Sequence, residues 1–289
     1  HMGHSQMNID SGMPTQFINV TYDGDPAIDP VLPILTQHRA IAQSRLAETG
    51  IENLSEEEAQ ERFLDAVGRI SPLKGAKLGL VASIQHLHLV FDYKKRFEDA
   101  GFEVEVPVGG ARLTFPGQVL GCNYSGDDDE IGHYLFLGSG DFHPIGLALH
   151  TGKPLAMLDP YTGDASEMGA ERIERILRQR FGLIMAIQDA QNFAILIGEK
   201  PGQMRRSLAL KLKRTLAKQG KKGYLLALEH VGPDLIDFYP VDAFVNTACP
   251  RIAIDDSVKY AKPLVTPFEL EVALGVKKWE TGYQFDEIP

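Results

Sequence analysis

The sequence is poor in cysteine, and this scarcity excludes several classes of protein. Only two cysteines, Cys122 and Cys249, occur in 289 residues. Two cysteines cannot form the disulfide framework of a small secreted domain, so we expect a reducing, cytoplasmic compartment. The spacing C-x-x-C does not occur, which excludes a zinc ribbon and a compact ferredoxin motif.

Long apolar runs and an excess of positive charge are missing as well. No apolar stretch reaches the roughly 20 residues that span a bilayer, and no signal-peptide pattern opens the sequence. The formal net charge is −10, whereas a nucleic-acid-binding protein would have a basic footprint. We therefore expect neither a membrane nor a nucleic acid as a partner.

Short apolar runs predict buried strands in an α/β fold. Each run is continuous rather than alternating in polarity, as in parallel strands that are covered on both faces. Helical periodicity lies between many of the runs, in residues 88–100, 170–190 and 203–218, and Ser55 with Glu58 predicts a capped helix start. Strands that alternate with helices indicate parallel sheets. The predicted strands are residues 78–84, 134–137, 155–158, 193–197, 224–228, 243–245 and 264–265.

Similar phrases recur along the sequence and predict three homologous α/β domains. Residues 134–143 resemble residues 1–7, and residues 77–85 have a counterpart in residues 192–199. The predicted domains are residues 1–75, which are incomplete at the N-terminus, residues 76–190 with Cys122, and residues 191–289 with Cys249. Because Gly138 aligns with Gly3, we expect a third cysteine about 13 residues upstream of residue 1.

Both cysteines are candidate metal ligands because of where they follow the apolar runs. Each comes where a strand would end, and a turn-forming residue, Asn123 or Pro250, follows it. Ligands of open α/β sheets bind outside the carboxyl ends of the strands. Three cysteines on one centre would imply an iron–sulfur cluster with one open iron. The alternative is that each cysteine is a buried small hydrophobe.

A glycine-containing loop, Gly-Ser-Gly-Asp-Phe-His-Pro at residues 138–144, is the second candidate site. Its glycines would let backbone N–H groups approach a ligand, and Pro144 at a helix start would present further N–H groups to an anion. The alternative is a tight strand–helix turn that Asp141 caps. Neither a Walker nor a Rossmann fingerprint is present.

Four segments of the sequence together resemble those of one family. Residues 118–123, 138–144, 246–256 and 262–270 are similar to the archaeal diphthamide-biosynthesis enzymes, 2-(3-amino-3-carboxypropyl)histidine synthases of the non-standard radical S-adenosylmethionine type. The resemblance extends from Gly3 to about Leu274. It implies three homologous α/β domains in a pseudo-threefold arrangement, each of which gives one cysteine to a 4Fe–4S cluster. Cys122 and Cys249 match the ligands of the second and third domains.

The resemblance also implies a reaction and its partners. The 3-amino-3-carboxypropyl group of S-adenosylmethionine would be transferred to a histidine of translation elongation factor 2 by a radical mechanism. An electron donor and a homodimer are implied as well. Two alternatives stay open: a quinolinate-synthase-like iron–sulfur enzyme, and a non-catalytic accessory subunit of the diphthamide synthase. The candidate residues for binding S-adenosylmethionine are Gln85, Ser139, Gly140, Asp141 and His143.

Overall fold

The computed structural model describes residues 6–10, 13–17, 56–70, 75–110, 112–160 and 162–288. The chain divides into two compact units, which we call the first and the second unit. The first unit extends to Leu120 and includes Ser125–Gly140 and Lys153–Glu167, and the second unit consists of Gly121–Tyr124, Asp141–Gly152 and Met168–Pro289. The segment around Cys122 therefore belongs to the same unit as Cys249.

The first unit contains a five-stranded sheet in the order β4-β3-β5-β6-β7. Strand β3 pairs in parallel with β4 and β5, and β5 pairs in parallel with β6. Two further strands, β1 and β2, form an antiparallel pair. The elements in chain order are β1 Gln6–Asp10, β2 Met13–Phe17, α1 Glu56–Arg69, β3 Leu78–Ala82, α2 Val90–Asp99, β4 Val104–Glu105, β5 His133–Leu137, β6 Leu155–Leu158 and β7 Ala165–Met168.

Helices α1 and α2 complete the core of the first unit. Phe97 of α2 is fully buried, and its ring meets the ring of Phe63 from α1 edge to face at 5.2 Å. Both rings pack in one cluster with Leu78 and Leu80 of β3. Burial of these large side chains is the main favourable contribution to folding at this face of the sheet.

The second unit contains a four-stranded parallel sheet in the order β11-β10-β8-β9. Phe193, Ile195 and Ile197 of β8 pack in one apolar cluster, and Ala194 and Leu196 pack in another. Successive side chains of a strand point to opposite faces, so burial on both faces explains the continuous apolar run. The elements are α3 Phe142–Thr151, α4 Ala170–Ala186, β8 Asn192–Gly198, α5 Arg206–Lys218, β9 Lys222–Leu228, α6 Pro233–Ile236, β10 Ala243–Asn246, α7 Pro250–Ile254, β11 Leu264–Val265 and α8 Pro267–Ala273. Helix α3 lies between β5 and β6 in the sequence, although it belongs to the second unit.

The predicted α/β class with parallel sheets is confirmed, and the seven predicted strands agree with observed ones to within about two residues at each end. Prediction missed the short strands β4 and β7, and it missed α8, whose start is fixed by a capping box of Thr266 and Glu269. The three-domain organisation and its boundaries stay a prediction. Most of the predicted first domain, including Ser55 of the predicted capping box, lies outside the described residues. Within the described part of the chain, no helix is long and apolar enough to cross a membrane.

Candidate functional site

Cys249 lies at a strand–turn–helix junction in the second unit. It follows β10 and is the N-cap residue of α7, with an extended backbone at φ −64° and ψ 127°. Pro250 occupies the first helical position, where its missing N–H and fixed φ are tolerated. The sequence thereby places the half-buried thiol at the carboxyl edge of a parallel sheet, where ligands of such sheets bind.

Two buried polar side chains fix the turn that leads to Cys249. The Asn246 Nδ2 donates to the carbonyl of Cys249 at 2.8 Å, and its Oδ1 accepts from the N–H of Ala248 at 3.0 Å. The Thr247 hydroxyl donates to the carbonyl of Leu196 in β8 at 2.7 Å. Asn246 and Thr247 are both fully buried, so each needs these partners. The turn is therefore held by bonds within itself and to the neighbouring strand.

Two arginines hold the same region from either side. Arg205 donates from Nε to the carbonyl of Thr247 at 2.8 Å and from Nη2 to that of Ala248 at 3.1 Å. Arg180 donates to the carbonyl of Ala253 in α7 at 2.6 Å and pairs with the Glu269 carboxylate at 2.7 and 2.5 Å. The turn before Cys249 and the helix after it are thus fixed separately.

The Cys122 segment is irregular and is held by close packing on α3. Tyr124 is buried, and its hydroxyl donates to the carbonyl of His143 at 3.2 Å. A Cβ at Gly146 would overlap the Tyr124 hydroxyl, and a Cβ at Gly121 would overlap the ring of Phe142. Both glycines are required because the neighbouring ring occupies the space a side chain would fill. These two contacts flank Cys122 on either side.

Two aromatic side chains connect the surroundings of the cysteines. Burial raises the pKa of Tyr124 well above its ordinary value, and negative charge on Cys122, Glu287, Asp255 and Cys249 raises it further. The Phe142 ring contacts Gly121, and the Arg251 guanidinium lies 5.1 Å from its centroid. The segments that carry the two cysteines, 127 residues apart in the sequence, are therefore connected within the second unit through the Phe142 ring.

The Cys249 thiol lies in surroundings with opposing effects on its ionisation. Burial raises the pKa of the thiol. A hydrogen bond from the backbone N–H of Arg251 and the positive charges of Arg251 and Arg205 oppose this rise. Because the thiolate is the form that binds metal, these N–H and guanidinium groups favour the state that a metal site requires.

The predicted ligand-binding residues are divided between the two units. Asp141 and His143 belong to the second unit with the cysteines, at the start of α3. The Asp141 carboxylate forms an ion pair with Arg172 at 2.6 Å and makes no side-chain hydrogen bond to the helix it precedes. Gln85, Ser139 and Gly140 are exposed and belong to the first unit. Their role in ligand binding stays a prediction.

Several residues around the cysteines were missed by the sequence analysis. Phe142 lay inside the recognised loop but had no assigned role, and Tyr124 and Arg251 stood within two residues of a cysteine. Arg205 had no signal of its own, because it begins a run of basic residues in 205–222. The contacts that distinguish these side chains join positions far apart in the sequence.

The chemistry of the described residues fits part of an iron–sulfur ligand set. Cysteine thiolates are the ligands that hold 4Fe–4S clusters, and Cys122 and Cys249 belong to one unit. Among the described residues, no group of three or more histidine, cysteine, aspartate or glutamate side chains could hold a single metal ion. Within the described residues, these two thiols are the candidate ligands for such a cluster.

Comparison with known proteins gives a consistent set of similarities. The family model for diphthamide synthesis proteins matches residues 52–284. The chain is 34% identical over 288 residues to the 2-(3-amino-3-carboxypropyl)histidine synthase of Pyrococcus horikoshii, covering 100% of this chain and 72% of that protein. It is 26% identical over 216 residues to the synthase of the same name from Methanocaldococcus jannaschii, covering 74% of this chain and 56% of that protein.

A solved structure is similar as well. The crystal structure of Dph2 from Pyrococcus horikoshii with a 4Fe–4S cluster superposes with a TM-score of 0.72 at 36% sequence identity. The match covers 80% of this chain and 65% of that chain. This chain thus spans slightly less than two thirds of the solved protein, and the likeness includes sequence as well as fold.

Proposed function

The chain belongs to the diphthamide synthesis family, and on this premise we propose that it transfers the 3-amino-3-carboxypropyl group of S-adenosylmethionine to a histidine of translation elongation factor 2. The family expected from the sequence is confirmed, and the curated relatives are named for the synthase that the sequence predicts. This family membership gives the quinolinate-synthase-like alternative no support.

The observation that carries the proposal is that Cys122 and Cys249 belong to one unit, in which the Phe142 ring contacts Gly121 beside Cys122 and Arg251 just after Cys249. We assign both thiolates to a 4Fe–4S cluster, the group with which the similar Pyrococcus protein was solved. The third cysteine is the one that the sequence predicts upstream of residue 1. When bound and reduced, such a cluster supplies one electron for cleavage of the Cγ–S bond of S-adenosylmethionine.

The residues of this chain would bind and orient the substrate. We assign the amino-acid or adenosine end of S-adenosylmethionine to the loop that leads into α3, at Ser139, Gly140, Asp141 and His143, with Gln85 as a further contact. Asp141 is a suitable partner for the substrate ammonium because its ion pair with Arg172 fixes the orientation of the carboxylate. Orientation decides which carbon–sulfur bond of the sulfonium is broken.

The proposal includes partners and a location. Elongation factor 2 is the protein substrate, a separate electron donor reduces the cluster, and the enzyme forms a homodimer in the cytoplasm. Symmetric dimers are the commonest assembly of soluble enzymes. The transferred 3-amino-3-carboxypropyl group is small and would be released from S-adenosylmethionine beside the cluster, so the acceptor histidine of the elongation factor would have to dock close to the carboxyl edge of the sheet near Cys249.

The test uses the complete protein, purified without oxygen and reduced with dithionite. Carboxyl-labelled S-adenosylmethionine is supplied with archaeal elongation factor 2, and label is followed into the protein band. We expect label with the wild type, loss to background with Cys122→Ala and Cys249→Ala, and wild-type labelling with the surface control Lys218→Ala. In the same assay, Asp141→Ala is expected to keep its iron and sulfide but to bind S-adenosylmethionine more weakly.

Two results would contradict the proposal. Absence of label despite a full complement of iron and sulfide would exclude the transferase activity and favour the accessory-subunit alternative. Undiminished labelling in both cysteine variants would exclude the assigned ligands.

A further inference from the structure

A short segment, residues 285–288, is hydrogen-bonded to the carbonyl of Cys122 and to the two residues that follow it. The N–H of Ile288 donates to the carbonyl of Cys122 at 2.8 Å. The N–H of Tyr124 donates to Glu287 Oε1 at 2.5 Å, and the Asn123 Nδ2 donates to the carbonyl of Ile288 at 3.1 Å. The Phe285 ring meets the Tyr124 ring edge to face at 5.4 Å. The 285–288 segment therefore fixes the Cys122 segment.

The same segment is joined to the Cys249 turn through one ion pair. Asp286 accepts two hydrogen bonds from Arg205, from Nη1 at 2.7 Å and from Nη2 at 2.6 Å. The two side chains are only 10% and 9% exposed. Arg205 also donates to the carbonyls of Thr247 and Ala248, which directly precede Cys249, and to the carbonyl of Glu287 at 3.3 Å.

All five N–H groups of the Arg205 guanidinium thus have acceptors. A planar guanidinium with every donor engaged holds its acceptors in a fixed mutual geometry. One set of acceptors is the turn before Cys249, and the other is the segment bonded to Cys122. A continuous series of hydrogen bonds therefore connects the two cysteine backbones, although neither cysteine lies inside a helix or strand.

We propose that the Arg205–Asp286 pair is a positioning element that sets the relative placement of the Cys122 and Cys249 sulfur atoms for cluster binding. This inference rests on the cluster ligation proposed above. It gives a function to the 285–288 segment, which contacts both cysteine regions without providing a ligand of its own.

A purely stabilising role accounts less well for this arrangement. A buried ion pair is often no more stabilising than a well-packed apolar pair of similar volume. The Arg205 donors that do not reach Asp286 end on carbonyls within two residues of Cys249 or on the 285–288 segment. Partners around metal ligands orient those ligands, and their loss typically weakens metal binding by about 10- to 100-fold.

The experiment compares four variants of the complete protein after anaerobic cluster reconstitution. Arg205→Lys keeps the charge without the planar fork, Asp286→Asn removes one charge, and Arg205→Met/Asp286→Leu replaces the pair by apolar side chains. The control is Leu216→Ala, which opens a cavity at a fully buried position near the far end of α5. Measured for each are iron and sulfide per chain, the rate of iron loss to a chelator, the electron paramagnetic resonance spectrum of the reduced cluster, and the melting temperature.

We expect iron loss to be about tenfold faster in Arg205→Lys and Asp286→Asn, with an altered resonance spectrum. Arg205→Met/Asp286→Leu should recover melting temperature relative to Asp286→Asn without recovering iron retention. Leu216→Ala should melt at a lower temperature than the wild type but keep the wild-type iron retention and spectrum.

Two outcomes would overturn the inference. One is iron retention that follows melting temperature through all four variants, including Leu216→Ala, because the pair would then act only on folding. The other is wild-type retention and spectrum in Arg205→Lys. Failure of the proposed function gives a different result, since the wild type itself would then take up no iron and sulfide, and the inference would fall with it.

Discussion

The segments around Cys249 and Cys122 belong to the same unit but are held in place by different physical means. Cys249 ends a strand–turn–helix junction whose polar groups are satisfied by Asn246 within the turn. Cys122 lies in an irregular segment fixed by the packing of Tyr124 on Gly146. Cys249 is thus positioned by regular structure with buried polar bonds, whereas Cys122 is positioned by steric fit together with hydrogen bonds to residues 285–288.

The two arrangements also differ in the sequence distance of their contacts. Asn246 bonds to residues two and three positions away, whereas Asn123 bonds to the carbonyl of Ile288, 165 positions away. The Cys249 turn has local bonds that can form with its strand and helix, in addition to its bonds to Leu196 and Arg205. A turn that lacks such local bonds requires the whole unit to be folded. The Cys122 segment should therefore be the more sensitive of the two to changes elsewhere in the second unit.

The largest effect should come from breaking the buried pair below the Cys249 helix. Arg180 and Glu269 are 2% and 0% exposed, so Glu269→Gln would leave an uncompensated guanidinium in the core. We expect a loss of about 3–5 kcal/mol in the free energy of unfolding. The measurement is guanidinium chloride unfolding followed by the fluorescence of Trp279, the only tryptophan, which lies in the second unit.

The matched control for this variant is Arg180→Met/Glu269→Leu, which removes both charges. Because replacement of a buried pair by apolar side chains is often close to neutral, its stability should lie much nearer to the wild type. A loss below about 1 kcal/mol in Glu269→Gln would contradict the assignment, since it would mean that water reaches and solvates Arg180.

The next largest effect should come from disturbing the packing that holds the Cys122 segment. Gly146→Ala places a methyl group on the Tyr124 hydroxyl, and overpacking of a filled core costs about 1–3 kcal/mol. The control is Gly182→Ala in α4, where nothing lies within 4 Å of the added Cβ. There the gain in helix propensity should stabilise the protein by about 0.5–1 kcal/mol. Equal effects of the two substitutions in the Trp279 unfolding assay would show that Tyr124 moves aside without cost.

Sequence reasoning succeeded where structure follows from local pattern. The strand β8, buried on both faces, was predicted from its continuous apolar run, and Cys249 was placed correctly after β10. Boundaries were less accurate where the chain turns. The strand predicted at 78–84 ends at Ala82, because the N–H of His86 bonds to the carbonyl of Ser83 and closes a turn.

The contacts that hold the Cys122 segment could not be predicted from the sequence pattern. Residues 285–288 have no periodicity, since their bonds to the Cys122 segment are mostly made by backbone groups that every residue carries. Arg205 directly precedes the basic helix α5, and a basic helix is ordinarily explained by a solvated face. Only the fold shows that this arginine turns away from solvent, with its side chain 10% exposed.

The smallest effect on the free energy of unfolding should come from the charge of Asp255, close to Cys249 in the sequence. Burial raises the pKa of Asp255, which follows α7, and the negative charges of Asp256 and Asp141 raise it further, whereas Arg251 lowers it. Because the folded-state pKa lies above the unfolded value of about 3.9, the folded protein binds more protons than the unfolded chain at pH values between the two pKa values. The free energy of unfolding therefore falls as pH rises through this window, and the loss persists at pH 7. Asp255→Asn, which cannot ionise, should be slightly more stable than the wild type at pH 7, by less than about 1 kcal/mol because its Arg251 partner is largely exposed.

Asp242, whose pKa is shifted in the opposite direction, provides the control for this last prediction. The backbone N–H groups of Asn192 and Gln191 donate to Asp242 at 2.8 and 2.9 Å and lower its pKa. Its contribution to stability is present above the unfolded pKa and is lost as pH falls through the folded pKa. Asp242→Asn should therefore be less stable than the wild type at pH 7, and this difference should persist to about pH 4.5, whereas the difference for Asp255→Asn should shrink. Trp279 unfolding at pH 7 and at about pH 4.5 measures them, and differences of the same sign in the two variants would contradict the electrostatic account of the Cys249 side.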